Sequence, residues 1–65
     1  MIDKDELIVK LQRLGYETVM DNRVPCILVD EMPDDKQKKK YIKLMDELGY
    51  NASWGIIKKQ HENRS

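Results

Sequence analysis

The sequence predicts one small α/β domain, bordering on α+β, with the order α-β-β-α-β: a three-stranded mixed sheet with two helices on one face. Two apolar stripes recur at helical spacing, Leu7-Ile8-Leu11-Leu14 and Tyr41-Leu44-Met45-Leu48, and each runs into Leu-Gly-Tyr. Three short runs rich in β-formers lie outside them, at Glu17 to Met20, Val24 to Val29 and Trp54 to Ile57. At 65 residues the chain has room for a single domain, expected over residues 1–59, with the polar residues 60–65 as a frayed tail.

The first helix begins with an Asp-x-x-Glu capping box, Asp3 to Glu6, in which the Asp3 carboxylate satisfies a free backbone N–H of the first turn. Ile2 before the cap and Leu7 inside it are spaced as a hydrophobic staple, while Val9 falls off the apolar stripe. Gly15 is the expected left-handed stop, with Tyr16 folding back onto Leu11. The segment Met45-Asp46-Glu47-Leu48-Gly49-Tyr50 repeats the pattern of Leu11-Gln12-Arg13-Leu14-Gly15-Tyr16, so one ending is expected twice.

Between the helices, Asp21-Asn22-Arg23 is a polar turn that lacks the Asn-Gly or Asp-Gly pair of a tight hairpin. Pro25 has no N–H to give a ladder, which places it at a strand's beginning or on an unpaired side. Cys26 to Val29 is continuously apolar, as in a strand covered on both faces. Asp34 and Gln37 form a second capping box, and the helix from Lys36 onward returns as the third strand. A strand-helix-strand crossover makes the second and third strands parallel, with the first antiparallel to the second. Both helices then lie on one face and leave the other partly bare for a partner.

Composition narrows the function classes. Twelve basic and twelve acidic residues cancel, which argues against a dedicated nucleic-acid binder. The charge is nevertheless uneven. Residues 1–35 hold nine acidic and four basic side chains, and residues 36–65 hold three acidic and eight basic, a balance of −5 against +5. Such asymmetry invites a partner of opposite sign, including a second copy of the chain. A domain this short has a marginal core, and one cysteine and one histidine allow neither a disulfide nor a His/Cys metal site. Self-association is the remaining common source of stability, so a homodimer is expected. No apolar run is long enough to span a membrane, and with no targeting segment and a lone cysteine the expected compartment is the cytoplasm.

The candidate contact residues are Lys36, Lys39, Lys40, Lys43 and Trp54. At about 100° per residue the four lysines span an arc of roughly 100°, opposite Tyr41, Leu44, Met45 and Leu48. They stand toward the positive end of their own helix, where a macrodipole disfavours cations by roughly 0.3–1 kcal/mol each. Asp46 and Glu47 stand at the negative end, so neither set stabilises its own helix. The arc is either a solvated face or a surface for an acidic protein or a phosphate backbone. Lys58, Lys59, Asp30, Glu31, Asp34 and Asp35 are all expected near the start of that helix, where the acids would offset the lysines. Tyr50 and Trp54 are core or dimer anchors, or platforms on which bases stack. The loop Asp30 to Asp35 lacks the glycine and alternation of a calcium loop. Cys26 is a small core residue with no base beside it, and His61 is solvated.

The segment Glu6-Leu7-Ile8-Val9-Lys10-Leu11-Gln12-Arg13-Leu14-Gly15-Tyr16-Glu17 resembles the first helix and strand of the HicA-type mRNA-interferase toxins. That family carries a catalytic histidine in the next strand, where this chain has Arg23, Val24, Pro25 and Cys26, so the resemblance implies no such activity here. With no cofactor motif and no catalytic set, the expected function is a non-enzymatic protein-interaction module that self-associates. The alternative is nucleic-acid or nucleotide-phosphate binding through the lysine face with Tyr50 and Trp54.

Overall fold

In a computed structural model, which describes residues 1–60, the chain orders as α1 (Lys4–Arg13), β1 (Glu17–Asp21), β2 (Val24–Val29), α2 (Asp35–Leu48) and β3 (Gly55–Lys58). The expected order is met. Of the tail expected to fray, all but Gln60 lies outside the described residues, and so does His61.

Both helix starts are capped as their sequences direct. The Glu6 N–H donates to Asp3 Oδ1 at 2.8 Å, and the Gln37 N–H to Asp34 Oδ1 at 2.9 Å. Both ends close through the same two bonds. Gly15 N–H reaches the Gln12 carbonyl and Tyr16 N–H the Leu11 carbonyl; Gly49 and Tyr50 bond Asp46 and Met45 in the same way. Gly15 and Gly49 have φ of +97° and +85°, the left-handed conformation this ending requires. The end of α2 also holds the chain's beginning, because Ile2 N–H donates to the Gly49 carbonyl at 3.0 Å.

The sheet order is β1-β2-β3, with β1 and β2 antiparallel and β2 and β3 parallel. Asp21 pairs with Val24, so the hairpin loop has two residues, Asn22 and Arg23, with φ of 53° and 67°. Two positive φ values in a two-residue loop make the mirror-image turn that suits strand twist. Asparagine tolerates this conformation, whereas arginine bears a steric cost of roughly 1–2 kcal/mol. Arg23→Gly should therefore raise stability by roughly 0.5–1 kcal/mol, the gain being reduced by glycine's greater chain entropy. Urea unfolding measures it, and a lower midpoint for the variant contradicts the strained-turn account.

Alternation along β2 sends Ile27 and Val29 to one face and Cys26 and Leu28 to the other. Ile27 joins Leu7 and Leu11 of α1, Met45 of α2 and Tyr50 in one buried cluster, with Ile2, Tyr16, Val29, Tyr41, Leu44, Leu48 and Trp54 against it. Both helices thus cover the Ile27 face. They run side by side in opposite senses, since the start of α1 is tied to Gly49 while Tyr16, just past its end, meets Tyr41 edge-on at 6.1 Å. Tyr50 Oη donates to the Ser53 carbonyl at 2.7 Å, which satisfies its hydroxyl inside the core.

Two expectations are corrected. Leu14 belongs by spacing to the apolar stripe of α1, yet it is 57% exposed. The helix ends at Arg13, and the Leu14 N–H is shared between the Lys10 and Leu11 carbonyls in a tightened last turn. Tyr16 rather than Leu14 packs on the cluster at this end. The second correction concerns β2, whose apolar run is covered on both faces at Cys26 but not along its whole length. Leu28 is half-buried on the side away from the helices, because no further layer lies there among the described residues.

Candidate functional site

The helix-free face of the sheet is less apolar than a bare sheet need be. By register it carries Glu17, Val19 and Asp21 of β1, Val24, Cys26 and Leu28 of β2, and Gly55 and Ile57 of β3. Val19 is 38% exposed, while Leu28 and Ile57 are half-buried. Lys59 lies just beyond β3, its N–H bonded to the Val29 carbonyl, and its Nζ pairs with Glu17 and, at 3.7 Å, with Asp30. Glu17 and Lys59 come from opposite edges of the sheet, so their contact bridges the end of this face across β2. The bonded Glu17 carboxylate holds the Lys59 ammonium above the usual lysine range, against a smaller opposing effect of burial. An ammonium held charged in this way offers no base near neutral pH.

Cys26 is buried on the same face, with Sγ 3.5 Å from the Val24 carbonyl. Burial and the nearby Asp21 charge push its thiol above the usual range, which keeps it protonated and unreactive at neutral pH. Gly55 is its neighbour on β3, and a Cβ there would stand 3.2 Å from Sγ. The cysteine is thus a close-packed sheet residue.

Two clefts open near α2. The first, about 500 Å³, lies at the carboxyl ends of β2 and β3 and is lined by Tyr16, Glu17, Asp30, Lys40, Tyr41 and Lys59 among others. It gathers Lys59 and Asp30 beside the start of α2, as the parallel topology requires. The second, about 320 Å³, lies between α2 and β3 and is lined by Met32, Lys38, Ile42, Trp54, Gly55 and Ile56. Met32 and Ile42 are 53% and 57% exposed, which makes this the more apolar of the two openings.

Two of the five candidate residues border these clefts. Lys36, Lys39, Lys40 and Lys43 are all exposed, and none forms an ion pair among the described residues. The acids of the preceding loop therefore do not neutralise them by direct contact. Lys40 borders the first cleft, and Trp54, half-buried, borders the second. The lysine that shares a cleft with Trp54 is Lys38, which lies outside the arc defined by sequence spacing. Tyr50 is buried with its hydroxyl bonded, so it presents no open ring face for a base.

Ile42 and Met32 are not among the residues that sequence reasoning singles out. Ile42 carries a usable signal, because it is a large apolar residue on α2 outside the Tyr41-Leu44-Met45-Leu48 stripe. The Glu17–Lys59 pair joins residues 42 positions apart and depends on strand register. Among the described residues no three His, Cys, Asp or Glu side chains are grouped to hold a metal ion, and no helix is long and apolar enough to cross a membrane.

No protein-family model, curated protein or solved structure matches this chain, and the short likeness to the toxin family has no family-model match behind it.

Proposed function

We propose that this chain is a small non-enzymatic protein-interaction module that self-associates and works by occupying a partner's surface. The observation that carries this reading is the mismatch between core and surface. Leu7, Leu11, Cys26, Ile27, Met45 and Tyr50, with Pro25 and Pro33, form the small buried apolar set among the described residues, while Met32 and Ile42 stand more than half exposed around Trp54. A core this small is marginal by itself, and covering the exposed cluster supplies the missing burial. The outward lysines of α2, free of ion pairs among the described residues, suit an acidic partner in the cytoplasm. The nucleic-acid alternative loses one of its two stacking platforms with the burial of Tyr50.

Light scattering tests the self-association. At about 10 µM a dimer of about 15 kDa is expected from the 7.7 kDa chain, and a monomer alone at that concentration counts against the reading. Trp54→Ala should weaken the dimer at least about tenfold, since tryptophan is enriched among the residues that dominate interfaces.

A further inference from the structure

The charges of α2 run against its own dipole, and an antiparallel neighbour would reverse that relation. Its first half carries Lys36, Lys38, Lys39 and Lys40, with Lys43 just past the middle. Its second half carries Asp46 and Glu47, and its last turn holds no basic residue. In a second copy of α2 laid antiparallel, these lysines would face a negative helix end and its carboxylates. The spacing fits a two-fold axis. Ile42 lies next to the midpoint of Asp35–Leu48, with Lys38 four residues before it and Asp46 four residues after. At about 100° per residue, Lys38, Lys39, Ile42 and Asp46 fall on one strip of the helix, and all four are exposed.

We infer that two copies of this chain pair through antiparallel α2 helices, with Ile42 at the two-fold axis and Lys38 and Lys39 of each copy against Asp46 of the other. This rests on the self-association proposed above and assigns it a surface. The same residue occupies both sides of the axis, as an isologous contact demands. Ile42 borders the cleft that Met32, Trp54 and Ile56 line on its own copy, so pairing at Ile42 covers both clefts, and apolar burial and charge pairing coincide. The sheet's helix-free face is the competing surface. It offers only Val19 as an exposed large apolar side chain among the described residues, and is bridged at one end by Glu17 and Lys59.

Charge exchange tests this contact. One variant carries Lys38→Glu with Lys39→Glu, and the other carries Asp46→Lys. Each places charges where its own helix dipole favours them, so each should remain folded by circular dichroism. Each should also dimerise at least about tenfold more weakly than the parent, because like charges meet across the axis. Mixed in equal amounts, the two should recover a dimer at parental strength, since the carboxylates introduced on one chain then face the ammonium introduced on the other. A dimeric parent whose variants also dimerise at parental strength overturns the α2 contact and leaves self-association to another surface. Weak variants that fail to recover on mixing overturn it as well. A parent that stays monomeric at about 10 µM overturns both this inference and the self-association beneath it.

Discussion

Leu7→Ala should leave the domain largely unfolded at 37 °C. The Leu7 side chain is 0% exposed and packs where α1, α2 and the sheet meet, in the cluster with Leu11, Ile27, Met45 and Tyr50. Removing a buried leucine typically costs about 2–5 kcal/mol, from lost transfer energy and the cavity left behind. A chain of this length holds only about 3–5 kcal/mol in its core, so the loss is comparable with the whole. Leu14→Ala is the matched control, since that side chain is mostly exposed and its removal should fall within about 0.5 kcal/mol of the parent. Thermal melts followed by circular dichroism separate the two. A cooperative Leu7→Ala melt within a few degrees of the parent would mean that this cluster does not hold the fold.

Gly49→Ala should cost about 1–2 kcal/mol, and the reason is conformational. A Cβ at Gly49 meets nothing within 4 Å, so space is not the obstacle, whereas its φ of +85° is a conformation in which alanine is strained. The position joins the end of α2 to the start of the chain, because the Gly49 carbonyl accepts the Ile2 N–H. Strain there disturbs the closing bonds of α2 and the anchoring of Ile2 on the core together. Gly49→Asn should lose less, because asparagine enters the left-handed region more readily. Urea midpoints falling in the order parent, asparagine, alanine support this account. An alanine variant as stable as the parent contradicts it.

The helix ends are legible in the sequence because their signals are local. A carboxylate at the cap position, an apolar repeat near 3.6 residues and a glycine before a tyrosine act over one or two turns, and α1 and α2 obey them at both ends. The hairpin is only partly legible. Its location is clear, but a left-handed arginine is not something turn chemistry favours, and Arg23 adopts it because the pairing of Asp21 with Val24 closes the loop at two residues. Leu14 misleads for a related reason: helical spacing continues past Arg13 in the sequence, whereas the helix does not.

Composition and periodicity determined the element order, the parallel crossover, the placement of both helices on one face and the lysine arc of α2. They left open whether β3 lies beside β2 or beyond β1, since a crossover states direction and not adjacency. Tertiary structure decided that β2 is central, and with it which distant residues meet. Glu17 reaches Lys59 only because β1 and β3 flank the same strand, and Trp54 finds Lys38 and Ile42 only because β3 runs beneath α2. These contacts rest on register and layer packing, which are set by the burial of Leu7, Leu11, Ile27 and Met45 as one cluster rather than by any short stretch of chain.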